Sequence, residues 1–457
     1  MNTKLKTLLQ QLLQSPRRFS IELALGVVFF KRWCLACTTG LLFIAMIAVG
    51  CKASKPKRVS AEKTIESNDS LIIGDYEDFQ LEDMDRNLIQ KENAFSLKLF
   101  QKVAAGEKKS TFISTIGILY SLNVMNMGAS GASRQEICNA LGVDSTDLER
   151  MSTLSRRMIK GHVKMQEDDL PGLSSNLLTG CALFVKSGVD ISKSFTHNFE
   201  DYYFGQIIQG DFDNKMQSEI DEWCSNQSDN KITHLPVDHG ASSVLAVINC
   251  FNGKWEKEFS ANQTKEEPFS DGRVKTVMMM NDEDDDRRLS YAQRSDYSLL
   301  RIPYRGGYAM YVVLPKRGKN LSSVIHKLSM KELQNAIDNL SHYDIIYLKL
   351  PKFELNFNCI TNKWLTSMGI RKVFSHDADF GNVNREFYLD RISQYAKVKV
   401  DEIGTAAEAL TSAVLKVKEM GAVEEKSVVY FYADHPFAYI IADPFGNYCF
   451  MGTFWGN

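Results

Sequence analysis

The chain has 457 residues, 44% of them hydrophobic and 24% charged, the balance of a globular protein with sequence enough for about one to three domains. A formal net charge of -2 argues against the basic footprint of a nucleic-acid or anionic-surface binder. The eight histidines are scattered along the chain. There is no nucleophile elbow, zinc helix, phosphate loop or dinucleotide fingerprint in the sequence, so no enzyme class and no cofactor is indicated.

In chain order, the first feature is Lys31-Arg32 followed by the apolar run Leu35 to Gly50. A basic flank, a short apolar core and small residues before a cut site describe an export signal. Ala48-Val49-Gly50-Cys51 is similar to a bacterial lipoprotein cleavage box, with Cys51 as the residue that would carry lipid and anchor the chain. A plain membrane-spanning anchor from Ile21 to Gly50 is the alternative. Cys34 and Cys37 have redox spacing but lie inside the apolar stretch, and their spacing is read as coincidence. Residues 52–87 are polar and charged and read as a tether. This gives a leader over 1–51, a tether over 52–87 and a folded body over 88–457. The body contains no internal repeat and no long linker, so it reads as one domain.

The body opens with helical patterns. "ENAFSLKLFQKVA" places Ala94, Leu97 and Phe100 on one face. "IGILYSLNVMNMGASG" reads as an amphipathic helix ending at Gly128. "QSEIDEWCSNQSDNKI" puts Ile220, Trp223 and Cys224 on an apolar side. "NDEDDDRR" (281–288) lacks the glycine and distal glutamate of a calcium loop and is expected to be solvated. Strand patterns follow: a hairpin across Gly306-Gly307, the alternating run "IIYLKLPKFELNF", and a hairpin around Asp443 to Gly446. Helices first and strands later point to an α+β fold with antiparallel sheets. Cys138, Cys181, Cys224, Cys250, Cys359 and Cys449 occur singly and read as small buried hydrophobes.

Near the end, "GTAAEALTSAVLKVKEMGA" (404–422) carries two patterns at once. Thr405 with Glu408 has the form of a capping box, and Leu410, Ala413, Val414 and Val417 recur at helical spacing. Every second residue, Thr405, Ala407, Ala409, Thr411, Ala413, Leu415 and Val417, is small or apolar as well, while Glu408, Ser412, Lys416 and Lys418 fall on the other parity. That is the pattern of a strand with one buried face.

From about Asn93 onward the fragments, in order, are similar to those of the serpin family. "FISTIGILYSLNVMNMGASGASRQEI" (112–137) resembles its second-helix region and the turn after it. "INCFNGKWEKEF" (248–259) resembles a family signature through Asn249, Phe251, Gly253, Trp255 and Phe259, with Phe251 offset by one. "IPYRGGYAMYVVLP", "LKLPKFEL" and "MGIRKVFSHDADF" follow in family order, and Pro436, Phe437, Phe450, Met451 and Gly452 close it.

The resemblance implies three β-sheets, eight to nine helices and an exposed reactive loop. It implies a suicide inhibitor of serine endopeptidases, with cysteine endopeptidases as a further target class, rather than an enzyme. A target protease would be trapped covalently when the cleaved loop enters the main sheet. It assigns a hinge to Glu402, Gly404, Thr405, Ala407, Ala409 and Thr411. The scissile bond falls at Lys418-Glu419, a cationic bait for a trypsin-like pocket. The stretch from Lys418 to Pro436 is longer than the family norm, so Lys416 and Met420 are alternative bait positions. Leu410 is bulkier than the usual alanine but lies on the outward parity. Ser114 matches the family's serine in the shutter beneath the sheet, where Gln394 stands for the usual histidine and Gly117 for a second serine. With the leader, this describes an exported monomer, an envelope lipoprotein of the outer membrane or surface or a secreted protein. It has no nucleic-acid partner. A non-inhibitory binding module of the same fold is the alternative.

Overall fold

A computed structural model describes residues 80–106, 108–167, 175–282, 289–405 and 427–456. Within these residues the chain builds nine α-helices and sixteen strands in three sheets. The helices are α1 (Asp83–Ala104), α2 (Thr115–Gly128), α3 (Gly131–Leu141), α4 (Leu148–Glu167), α5 (Lys193–Tyr203), α6 (Asn214–Gln227), α7 (Leu321–Lys327), α8 (Met330–Asp338) and α9 (Asn362–Ser367).

The main sheet has six strands: β11 (Phe353–Ile360), β12 (Arg391–Val400), β13 (Gly404–Thr405), β4 (Ser243–Lys254), β2 (Asn176–Lys186) and β3 (Gln206–Gly210), in that spatial order. A second six-stranded sheet runs β1 (Thr111–Ser114), β16 (Tyr448–Phe454), β15 (Phe437–Ala442), β9 (Ala309–Pro315), β8 (Tyr297–Pro303) and β7 (Ser290–Gln293). The third has four strands, β14 (Val428–Tyr432), β10 (Ile345–Pro351), β6 (Thr276–Asp282) and β5 (Lys265–Pro268). The fold is α+β, as composition and pattern indicate.

Three local readings change in the folded chain. Every residue of α2 except Met127 is buried, so this helix runs through the interior and is not amphipathic. The alternating run 345–357 is cut at Lys352, with β10 in the small sheet and β11 in the main one. Asn281 and Asp282 end β6 as buried residues and are not part of a solvated loop. Both predicted hairpins form. The first needs the five residues 304–308, with Gly306 and Gly307 both at positive φ. The six cysteines of the body are unpaired thiols, five of them buried. Burial pushes Cys224 and Cys250 up to about 12, so neither supplies a thiolate at neutral pH.

Glu92 of α1 is 8% exposed and accepts a hydrogen bond from Asn123 Nδ2 at 3.2 Å. Burial pushes its carboxyl up to about 7, the Asn123 bond opposes the rise, and the Asp443 carboxylate adds to it. Between its ordinary value of 4.5 and about 7 the folded chain holds a proton that the unfolded chain has released. Stability therefore falls as pH rises through that window, by about 3 kcal/mol in all. Glu92→Gln keeps the acceptor and removes the titration. Its stability relative to the parent is expected to climb by that amount between pH 4.5 and pH 8, measured by denaturant unfolding at each pH. Parallel pH profiles would rule out Glu92 as the source.

Candidate functional site: a parted seam in the main sheet

β12 and β4 lie side by side and run parallel, in register from Arg391↔Val244 to Lys397↔Cys250. Beyond Lys397 and Cys250 they separate, and β13 stands between them. Thr405 pairs with Val400 on one side and with Gly253 on the other, and Gly404 pairs with Lys254. β13 is antiparallel to both neighbours. The sheet is thus open at one end, with two residues already in the gap. Parallel pairing is the weaker ladder per residue, so a strand entering here would exchange one parallel ladder for two antiparallel ones.

The identity of the residues in the opening follows from space. A Cβ at Gly404 would overlap the carbonyl oxygen of Gly253, so only glycine allows this approach. Along β12 the core side is Ile392, Gln394, Ala396, Val398 and Val400, all buried. Thr405 is the register partner of Val400, and directly opposed residues share a face. Its position in the sheet is therefore a core-side one.

The turn that delivers β13 is fastened on several sides. Asp401 Oδ1 accepts from Ile403 N at 3.1 Å and Gly404 N at 3.2 Å, while Asp401 N donates to Gly404 O at 2.8 Å. Trp255, fully buried and stacked on Tyr304 at 4.1 Å, donates Nε1 to Asp401 O at 2.9 Å. Trp255 N and Phe259 N donate to Ile403 O and Glu402 O. Glu402 accepts from Lys352 Nζ at 2.8 Å. Burial pushes its carboxyl up, but the hydrogen bonds from Lys352, its own backbone and Thr264 outweigh this and hold it below the ordinary value.

Beneath the closed part of the seam is a buried polar cluster. Gln394, fully buried on β12, clasps the backbone of Ser114: its Nε2 donates to Ser114 O at 2.5 Å and its Oε1 accepts from Ser114 N at 3.2 Å. Ser114 Oγ donates to Asn249 Oδ1 on β4 at 2.9 Å and caps α2 by accepting from Gly117 N. Asn249 Nδ2 reaches Thr179 on β2 at 3.0 Å. The two seam strands are thus tied to one point at the N-terminus of α2. A Cβ at Gly117 would overlap Asn249 Oδ1, so the missing serine side chain is the space that the Asn249 carboxamide fills.

Of the residues singled out in the sequence, Glu402, Gly404 and Thr405 come together at the mouth of the seam, and Ser114 and Gln394 meet beneath it. Ala407, Ala409, Leu410 and Thr411, the bait positions Lys416, Lys418, Glu419 and Met420, and Cys51 lie outside the described residues. Sequence reasoning missed Asp401, although Asp followed three residues later by Gly is a turn signal. It also missed Thr179, which has no local signal.

The comparisons with known proteins agree with this geometry. The family model described as "Serpin (serine protease inhibitor)" matches residues 90–456, and the chain belongs to that family, whose members are generally protease inhibitors. It is 26% identical over 369 residues to Iripin-8 of Ixodes ricinus, covering 78% of this chain and 89% of the relative. It is 27% identical over 373 residues to the plasma serine protease inhibitor of Homo sapiens, covering 78% and 87%. Among solved structures it superposes on the native state of the thermophilic serpin Tengpin with a TM-score of 0.71 at 22% identity, covering 83% of this chain and 96% of that one. It also superposes on human thyroxine-binding globulin, with a TM-score of 0.68 at 21% identity, covering 80% and 97%.

Gln394→Ala would leave the buried amide and carbonyl of Ser114 without partners. An expected loss of about 2 to 4 kcal/mol of stability follows, measured by denaturant unfolding. A change under about 0.5 kcal/mol, the range of an ordinary surface substitution, would mean that the clasp contributes little.

Proposed function

We propose that this protein is a suicide inhibitor of serine endopeptidases of trypsin-like specificity, and of cysteine endopeptidases that accept the same bait. The observation that carries this reading is β13, seated antiparallel between two parallel strands with Thr405 in a core-side register. Extending that register assigns places to the alternating residues. Ala407 would lie between Val398 and Phe251, Ala409 between Ala396 and Asn249, and Thr411 between Gln394 and Val247. All are core-side positions that admit only small side chains. Glu408, Leu410, Lys416 and Lys418 fall on the outward parity.

In this mechanism the protease hydroxyl attacks the Lys418 carbonyl. The Lys418–Glu419 bond breaks, and the Glu419 amine leaves with the proton. Lys418 is then held as an ester while its strand enters the seam. New antiparallel hydrogen bonds and buried small side chains drive the entry, which drags the protease with it. The strand segment is written for two environments because it occupies them at different times. Ser114, Gln394, Asn249 and Gly117 act as the shutter that must yield.

The organisation that accompanies this reading is a leader over 1–51 cut before Cys51, a lipid on Cys51, a tether over 52–87 and a monomeric inhibitory domain over 88–457. Among the described residues no helix is long and apolar enough to cross a membrane.

The test is to mix the protein with trypsin and follow denaturing gels and intact mass. A boiling-resistant band at the summed mass, with the new C-terminus at Lys418, is expected. Thr405→Arg and Ala407→Arg should each abolish that band and leave rapid loop cleavage, because a charge cannot be buried in the central strand. Equal trapping by those variants would refute insertion. Cleavage of the parent loop with no trapped enzyme would favour the non-inhibitory binding module.

A further inference from the structure

The closed end of the seam is crossed by a contact that insertion cannot leave intact. The segment joining α6 to β4 lies over the outer face of the main sheet, where Ile232 and Leu235 pack with Trp223 of α6 and with Val244, Ala246 and Ile248 of β4. It is fastened to α6: Leu235 N donates to Asp221 Oδ1 at 3.2 Å, Val237 N donates to Gln217 Oε1 at 3.0 Å, and Gln217 Nε2 donates to Leu235 O at 2.9 Å. Because the segment runs directly into Ser243, it belongs mechanically to the β4 side of the seam.

It makes a side-chain ion pair across the seam with Arg391, the first residue of β12. Arg391 Nη1 meets Asp238 Oδ2 at 2.5 Å, and Nη2 donates to Pro236 O at 3.4 Å. The Arg391 side chain is 8% exposed, and its Nε is buried without a partner. Asp238 by contrast is 83% exposed, so the carboxylate reaches in from solvent to neutralise a buried cation. Just below, Asp390 accepts from Ser242 N and Ser243 N and closes the base of the sheet.

We propose that Arg391 is a positioning residue for the insertion step, the latch that holds the lower seam shut. The inference rests on the insertion reading above. A new strand moves β12 from β4 by one strand spacing, about 4.8 Å. Seven residue pairs must part, from Lys397↔Cys250 down to Arg391↔Val244, and the last of these carries the latch. A contact of 2.5 Å does not survive that displacement. Either the guanidinium leaves Asp238 and Pro236, or the segment follows β12 and loses its bonds to Gln217 and Asp221. A buried cation separated from its partner is costly, so the final stage of insertion carries a barrier of its own, in addition to the polar cluster higher in the seam.

The experiment is peptide annealing to the intact protein, with a synthetic peptide of residues Gly404–Leu415 as the probe. Its rate is followed by a mobility shift in urea gels and by loss of trypsin trapping. The parent should anneal slowly. Asp238→Ala removes the carboxylate and Arg391→Met removes the buried charge at similar volume. Both are expected to anneal at least about fivefold faster, the effect of one charge-assisted hydrogen bond lost from the starting state. Arg391→Lys keeps a cation at the site but not the two-point contact with Asp238 and Pro236, and its rate should fall between the parent and Arg391→Met. Melting profiles identify any variant that fails to fold, and Asp238→Ala, altered at an exposed position, keeps the test open. Parent-like rates in both Asp238→Ala and Arg391→Met overturn the latch and leave the insertion reading standing. A parent that takes up no peptide overturns the insertion reading and the latch with it.

Discussion

The structure depends on one unsatisfied geometry, a pair of parallel strands at the centre of the main sheet, each antiparallel to its other long neighbour. β4 is antiparallel to β2 and β12 to β11, yet β4 and β12 run together. A strand running against both would make every pairing from β11 to β2 antiparallel, and β13 stands at that place, antiparallel to both neighbours. Two residues of it are in place, and the rest of the slot is closed by the weaker ladder.

The polar residues are distributed along this same seam. Polar side chains in a buried sheet are retained where each finds its partner. Here Gln394, Asn249, Ser114 and Thr179 are satisfied by one another and by the backbone of Ser114. The group spans both seam strands and the start of the buried helix α2, so the strands cannot separate without exchanging these bonds. The mouth is fixed by Asp401, Trp255 and the Lys352–Glu402 pair, and the base by Asp390 and Arg391. Between them the side chains on the core face alternate with regular parity.

Much of this was legible in the sequence because periodicity and turn chemistry are local. The hairpins at Gly306-Gly307 and Asp443–Gly446 and the apolar side of α6 follow from neighbours a few residues apart. The alternation of small residues from Thr405 onward is also local, and it states what kind of site the segment suits. Other features were not legible. Nothing near Lys352 says that the chain changes sheets there. The burial of α2 on all sides reflects what surrounds it and not its own pattern. The partners Gln394–Ser114, Asn249–Thr179 and Arg391–Asp238 are separated by 280, 70 and 153 positions.

By itself, then, the sequence determined the elements, the turns and the alternation of small residues from Thr405 onward, since each depends on side-chain volume and spacing along the chain. Only the tertiary structure decided that Gly404 and Thr405 would stand in a slot between two parallel strands. The slot exists because β4 and β12 lie side by side in parallel. That arrangement is set by crossovers through the rest of the domain and by hydrogen bonds between residues that meet only once the chain has folded.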